Sequence, residues 1–272
     1  MFNVVVILTC FNRKEKTLNC IKSLIEGNQN IEFNFVIVDD CSTDGTMEVL
    51  KKLPYQLNIL SGNGSLYWAG GMRLGIRYVL ENEKEYDYIL FVNDDVDFFK
   101  NIVQDLITQE NRKNAIIVGA TCDMNNEFTY GGVKMLGGKK KGYYTSVQPA
   151  FMNKCDTFNM NCVLVSKQVF IALGNFDEKY KHSLADLDYG LRASRNGYEI
   201  FSSNKFVGIC LKNPIKGTWQ DVSLSRIERI RRKESVKNAP FKPWFYFLRK
   251  HYGIFHALRY SITPYIRILI GK

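Results

Sequence analysis

The chain has 272 residues, of which 46% are hydrophobic and 24% are charged, values typical of one large globular domain with a substantial core. Seven scattered cysteines without a CxxC pair argue against a zinc site or a disulfide framework and favour a reducing cytoplasm. The net charge of +10 lies wholly between Arg226 and Lys272, where twelve Lys and Arg residues accompany two Glu. This one-sided distribution argues against a nucleic-acid-binding module, which spreads its cations over the folded body.

Strand and helix signals alternate along most of the chain, after an N-terminus without a recognisable signal peptide and without any apolar run of about 18 residues. Strands are predicted at residues 3–9, 33–39, 57–60, 87–93, 115–120, 161–165, 200–202 and 206–210. Helices are predicted at residues 14–26, 46–52, 69–81, 168–173 and 186–196, with a further polar helix before residue 115. Paired glycines and a lysine run between residues 123 and 155 predict a hairpin or mobile flap. The alternation predicts an α/β fold with a mostly parallel sheet flanked by helices.

Pairs of aspartates close two of the predicted strands. Asp39-Asp40 follows an apolar run, and Asn93-Asp94-Asp95 follows another. Ligands of parallel-sheet enzymes bind just past the carboxyl ends of the strands. Adjacent carboxylates repel, so the two pairs predict a cation or a hydrogen-bonded sugar between them. The alternative is that these residues are ordinary helix caps and turns.

Three motifs together resemble the inverting glycosyltransferases of family two, which have the GT-A fold. They are the segment from Thr9 to Arg13 after the first strand, the string from Val38 to Thr46 (VDDCSTDGT), and Asn93-Asp94-Asp95. The resemblance covers roughly residues 3–215. It implies a nucleotide-sugar donor near Thr9, Phe11 and Arg13. It also implies that Asp40 contacts the base or ribose of the nucleotide. Asp95 and Asp94 would hold Mg²⁺ or Mn²⁺ against the diphosphate, and Asp94 would also contact the donor.

The same resemblance implies a general base at the start of a later helix, which maps to Asp186. Ala185 stands where relatives carry another acid, and Asp188 is predicted to cap the helix, to orient neighbours or to contact sugar or acceptor. His182 and Asn161 are further candidates for sugar or acceptor contacts. The alternative is that Asp186 and Asp188 are simple first-turn acids favoured by the helix dipole.

The segment from Gly62 to Met72 begins as GxG but lacks the third glycine of a dinucleotide-binding fingerprint. It resembles a loop of rhamnosyltransferase-like members of the family, which implies that Gly64 and Trp68 border the donor nucleotide. Trp68 either stacks on a base or sugar or belongs to the core. The resemblance favours a dTDP-rhamnose donor, with UDP-linked sugars as the alternative. Some relatives carry a metal-binding histidine just after the last strand, but residues 211–220 of this chain contain none, so the metal is predicted to rest on the acidic motif and the phosphates.

The predicted organisation is a GT-A catalytic domain at residues 1–220 and a basic, aromatic helical tail at residues 221–272. Within the first, residues 1–120 form the donor half and residues 121–220 the acceptor half. Aromatic residues interleaved with cations predict that the tail lies on an anionic membrane surface. The alternative is that they pack onto the catalytic domain or onto a second subunit, as in a homodimer.

These observations predict a cytoplasmic enzyme at the inner face of a membrane. It would transfer a sugar, with inversion, to a glycan or a lipid-linked acceptor in bacterial surface polysaccharide synthesis. A sugar nucleotidyltransferase is one rival, but such enzymes usually carry a basic, glycine-rich loop after the first strand. A non-catalytic protein that binds glycans or nucleic acid is the other rival.

Overall fold

A computed structural model of the chain describes residues 1–110, 115–136, 144–151 and 153–272. Its strands are β1 Phe2–Cys10, β2 Ile31–Asp39, β3 Leu57–Ser61, β4 Tyr88–Val92, β5 Asp97–Phe98, β6 Ala115–Cys122, β7 Gly132–Met135, β8 Tyr144–Val147, β9 Lys154–Cys155, β10 Thr157–Phe158, β11 Cys162–Ser166 and β12 Glu199–Ile209. Its α-helices are α1 Lys14–Glu26, α2 Thr46–Leu50, α3 Tyr67–Asn82, α4 Ile102–Glu110, α5 Lys167–Leu173, α6 Ala185–Arg195, α7 Arg226–Lys233, α8 Phe241–Tyr252 and α9 Ile254–Leu269.

The main sheet of the described chain has nine strands in the order β3-β2-β1-β4-β11-β6-β12-β5, with β9 also paired to β12. Strands β3, β2, β1 and β4 are mutually parallel, as are β6 and β12. Strand β11 runs antiparallel between β4 and β6. The predicted mixed, mostly parallel sheet is therefore confirmed. A smaller sheet of three strands has the order β10-β7-β8.

Both faces of the main sheet are buried, which explains why its strands are nearly uninterrupted apolar runs. In β1, Val5 and Ile7 point into one core, while Val4, Val6 and Leu8 point into the other. The first core includes residues of α3, α5, α6 and α8, and the second includes residues of α1 and α4. Because β1 pairs in parallel with both β2 and β4, the carboxyl ends of these three strands meet at one edge of the sheet.

Two details differ from the sequence-based expectation. Residues 199–209 form one strand, β12, instead of two, because a bulge between Ser202 and Phe206 shifts its register without ending it. Helix α3 begins at Tyr67, two residues earlier than predicted. Strands β7 and β8 form the predicted hairpin, while its lysine-rich connection at residues 137–143 lies outside the described residues.

The C-terminal segment packs onto the rest of the protein through α8. Phe247 and Leu248 of α8 are buried in the same core as Tyr189 of α6. The α9 helix then packs against α8 and α7. Among the described residues, no helix is long and apolar enough to cross a bilayer.

Candidate active site

The acidic motif after β4 is held by a cation from the segment that follows the neighbouring strand, β1. Asp94 Oδ1 and Asp95 Oδ2 lie 2.9 and 3.0 Å from the same guanidinium nitrogen of Arg13. Because β1 and β4 are parallel neighbours, the segments that follow them are placed side by side. Burial raises the pKa of Asp94 to about 6, against the lowering effect of Arg13. This buried acid thus depends on a neighbouring positive charge to stay ionised.

The same geometry tests whether a divalent metal fits. Two carboxylate oxygens of Asp94 and Asp95 already converge on one positively charged atom, and oxygen ligands are those that Mg²⁺ and Mn²⁺ prefer. No cluster of three or more His, Cys, Asp or Glu residues suited to a metal occurs in the described ranges. A metal at this position would therefore take one or two protein carboxylates and complete its shell with phosphate and water, as Mg²⁺ commonly does.

The predicted base, Asp186, lies in the first turn of α6. Leu184 precedes the helix in the left-handed region with φ of 78°, a turn that brings the carboxyl group inward. The Leu187 backbone N–H donates to Asp186 Oδ1 over 2.8 Å. Burial raises the pKa of Asp186 to about 6, partly offset by backbone hydrogen bonds and by the Asn159 side chain.

One cavity of about 670 Å³ connects the acidic motif with this helix. The predicted site residues that line it are Arg13, Trp68, Asp94, Asp95, Asn161, His182 and Asp186. The structure therefore brings together residues of α3, of α6 and of the segments that follow β1 and β4, up to 173 positions apart in the sequence. Such a volume suits a ligand of nucleotide-sugar size.

Asp40 does not line this cavity. The residue is only 5% exposed, and its carboxylate accepts hydrogen bonds from the backbone N–H groups of Gly64, Leu66 and Tyr67, at 2.8 to 3.1 Å. Gly62 permits this closure, since a Cβ there would lie 2.4 Å from Asp40 Oδ1. Asp40 therefore fixes the loop that begins α3, and its contact with a donor nucleotide stays a prediction.

Three other predicted donor contacts also lie outside the cavity lining. Thr9 donates its hydroxyl hydrogen to the Val38 carbonyl oxygen at 3.0 Å, which ties the end of β1 to β2. Phe11 is 50% exposed beyond the end of β1. Gly64 adopts φ of +79°, a conformation that favours glycine. Their roles toward a donor stay predictions.

Asp188 lies outside the cavity lining, with a side chain that is 1% exposed. Its contact with sugar or acceptor stays a prediction. Its carboxylate oxygens lie within 3.2 Å of Tyr180 Oη, Arg192 Nε, Lys250 Nζ and His251 Nε2. Lys250 and His251 belong to α8, so Asp188 joins α6 to the C-terminal segment. Its orienting role, the other reading of the sequence, matches this arrangement.

Trp68 and His182 meet beside the acidic motif. The Trp68 indole N–H donates to Asn93 Oδ1 at 2.9 Å, and its ring packs against Phe176. The Trp68 backbone N–H points to His182 Nδ1 at 3.4 Å. Burial lowers the pKa of His182 to about 4, so this imidazole is neutral near pH 7. Trp68 thus both contacts the core and lines the cavity, and Asn93 positions it.

Sequence reasoning missed the wall that the C-terminal segment contributes to the cavity. That wall includes Trp219, Lys233, Lys237, Trp244, Tyr260 and Arg267. The cations of this segment were visible in the composition, but nothing in their spacing showed that some point inward. Lys233 is the extreme case, at 3% exposure, with its ammonium group bonded to the Ala239 carbonyl oxygen.

Comparison with known proteins defines the class of this site. The chain belongs to glycosyl transferase family 2, whose family model matches residues 5–174. No curated protein sequence matches the chain.

Solved structures extend the similarity to nearly the whole chain. S. aureus TarS 1-349 aligns with a TM-score of 0.58 at 16% identity, over 98% of this chain and 80% of that one. The mannosyltransferase PcManGT from Pyrobaculum calidifontis, in complex with GDP-Man and Mn²⁺, aligns with a TM-score of 0.57 at 13% identity, over 98% and 74%. At these identities the likeness establishes the fold. The predicted GT-A fold with a C-terminal helical extension is confirmed, and the chain is a glycosyltransferase.

Proposed function

We propose that this protein is an inverting glycosyltransferase that moves a sugar from a nucleoside-diphosphate donor to an acceptor hydroxyl. The observation that carries the proposal is the placement of Asp186, a carboxyl with a pKa near 6, on the same cavity as the Arg13-Asp94-Asp95 cluster. One end of the cavity offers a proton acceptor, and the other offers a charged cluster suited to a diphosphate.

The reaction needs no nucleophile from the protein. The acceptor oxygen forms a bond to the anomeric carbon while the bond from that carbon to the diphosphate oxygen breaks, and Asp186 takes the hydroxyl proton. A base works best when its pKa lies near the working pH, and burial moves that of Asp186 toward this range. Direct displacement from the face opposite the leaving group inverts the anomeric centre.

The leaving diphosphate needs its growing charge neutralised. Asp94 and Asp95 would hold Mg²⁺ or Mn²⁺, and Arg13 supplies a positive charge at the same place. When bound, the metal acts as a Lewis acid and a template for the phosphates. Neutral His182 accepts the Trp68 backbone N–H at Nδ1, so its Nε2–H can donate a hydrogen bond to a sugar hydroxyl oxygen or a water.

The donor proposal is dTDP-rhamnose, with UDP-linked sugars as the alternative, and rests on the resemblance of the Gly62 loop. Similar structures were determined with UDP-GlcNAc in TarS and with GDP-Man and Mn²⁺ in PcManGT, so donors with different bases occur on this fold. The proposed acceptor is a glycan or a lipid-linked glycan of bacterial surface polysaccharide synthesis. The proposed location is the inner face of the membrane, with residues 221–272 as the contacting part.

A thermal-shift panel of dTDP-rhamnose, UDP-GlcNAc and GDP-mannose, each with and without Mn²⁺, tests the donor and the metal. We expect one nucleotide sugar to raise the melting temperature, and Mn²⁺ to enlarge the shift. Asp186→Asn should keep this shift and lose sugar transfer, with Asp105→Asn on the surface of α4 as the control. Transfer at the wild-type rate by Asp186→Asn, or pyrophosphate release from a nucleoside triphosphate, would refute the proposal.

A further inference from the structure

The α9 helix carries an apolar face that the described residues leave exposed, here named the α9 stripe. Its members recur every three or four residues, which places them on one side of a helix. They are Phe255, Leu258, Ile262, Ile266 and Leu269. Phe255 is 86% exposed and the other four are 51 to 57% exposed. Soluble surfaces rarely align five large apolar side chains in this way, so the stripe indicates a binding face.

The opposite side of α9 is turned toward the protein. Ala257, Ser261 and Ile268 are buried there. Next to them, Tyr260, Thr263, Pro264 and Arg267 line the cavity that holds Asp186. A single helix therefore separates the catalytic cavity from the α9 stripe, and whatever covers the stripe lies at the edge of the active site.

The charge around the α9 stripe indicates which kind of partner binds it. Residues 239–272 contain six Lys and Arg residues and no Asp or Glu. Lys242, Arg249 and Arg259 are exposed. A second copy of the chain would bring two such basic segments together without a carboxylate from either to pair them, which disfavours association. Anionic lipid headgroups supply the missing charge, and their acyl boundary receives the apolar side chains.

The dimensions agree with a helix lying flat. The 16 residues of α9 span about 24 Å at 1.5 Å per residue. Helices with an apolar stripe and a basic rim lie in the headgroup region with the apolar side chains inserted. The described chain has no helix fit to cross the bilayer, so this contact would be peripheral.

We propose that the α9 stripe binds an anionic bilayer, and that the cavity receives its acceptor from that bilayer as a lipid-anchored molecule with a phosphate headgroup. The second part rests on the proposed glycosyl transfer. Arg267 and Lys237 line the cavity on the side that α9 faces, and both are exposed cations suited to a phosphate. The bilayer contact itself is independent of the chemistry.

Sedimentation with vesicles tests the bilayer contact. The probes are vesicles of phosphatidylcholine alone and of phosphatidylcholine with phosphatidylglycerol. Wild type should bind the anionic vesicles, and the Ile262→Asp/Ile266→Asp variant should bind them at least about tenfold more weakly. Ile171→Asp on α5 is the matched control, because Ile171 is 55% exposed on another element. Melting temperature and circular dichroism establish that each variant folds.

Two further arms separate the possible outcomes. Asp186→Asn should bind anionic vesicles as wild type does. Loss of sugar transfer with unchanged vesicle binding in this variant therefore reports on the transfer reaction alone. With labelled donor and vesicles of total bacterial lipid, the stripe variant should lose the organic-soluble product and keep the donor-induced thermal shift. Equal vesicle binding by wild type and the stripe variant would overturn the proposal, as would a wild-type dimer that the stripe substitutions dissociate.

Discussion

Replacing the buried carboxylate that joins α6 to α8 tests how firmly the C-terminal segment is attached. We expect Asp188→Asn to destabilise the whole protein, because the substitution removes the negative charge shared by Arg192, Lys250 and His251. Asn has nearly the same shape, so the effect reports on charge and hydrogen bonding instead of packing.

The size of the effect follows from two comparisons. Removing one partner of a buried ion pair costs about 3–5 kcal/mol, since the other charge is left uncompensated. Lys250 retains Asp177 at 2.8 Å, which places the expected loss near the lower end. Hydrogen bonds and positive neighbours lower the pKa of Asp188 to about 2 against the effect of burial, a shift equivalent to about 2 kcal/mol. A loss of about 3 kcal/mol corresponds to a fall in melting temperature of roughly 6–12 °C for a chain of this size.

Thermal denaturation near neutral pH measures the difference, and Asp105→Asn is the control. Asp105 pairs with Lys205, but the two side chains are 46% and 63% exposed, so that loss should stay below about 1 kcal/mol. Because the folded-state pKa of Asp188 is depressed, its contribution is present above its ordinary pKa near 4. It should disappear as the pH falls from about 4 to about 2. Equal melting temperatures for Asp188→Asn and Asp105→Asn would refute the reasoning.

Three other predictions concern the cavity. Transfer measured as kcat/KM should rise with pH through about 6 and then level off, because Asp186 must lose its proton to act as base; a profile flat from pH 5 to 8 would contradict this. Asp186→Asn should melt at a higher temperature than wild type at neutral pH, because burial raises the pKa of this carboxyl and its charge therefore disfavours folding. The gain in the free energy of unfolding should be up to about 3 kcal/mol, and it should vanish near pH 4. Arg13→Met should bind Mn²⁺ more tightly without donor, on the order of tenfold by calorimetry, because the metal no longer competes with the guanidinium for Asp94 and Asp95; unchanged affinity would exclude this competition.

The sequence predicted those parts of the protein that local patterns control. Apolar runs and the residues that close them located the sheet, and the carboxyl ends of adjacent parallel strands placed Asp94 and Asp95 at its edge. The position of Asp186 in the first turn of a helix followed from the motif resemblance, and the structure puts it on the same cavity.

Long-range pairing was beyond that kind of reasoning. Asp188 and His251 are 63 residues apart, and neither carries a local signal that it will meet the other in a buried cluster. Asp40 illustrates a different limit, because a carboxylate that binds a nucleotide and one that binds the amides of its own loop look alike in sequence. The sequence did not indicate which side of α9 faces the protein, because apolar residues occupy both faces of this helix.

The anchoring of α8 by Asp188 has a consequence for how the protein is dissected. Asp186 and Asp188 share one helical turn, so the helix that carries the proposed proton acceptor also holds the C-terminal segment. Deleting residues from 239 onward would uncover a buried carboxylate and remove Phe247 and Leu248 from the core. Loss of sugar transfer in such a truncated protein would therefore give no information about membrane binding. Only substitutions on the outward side of α9 can separate membrane binding from sugar transfer.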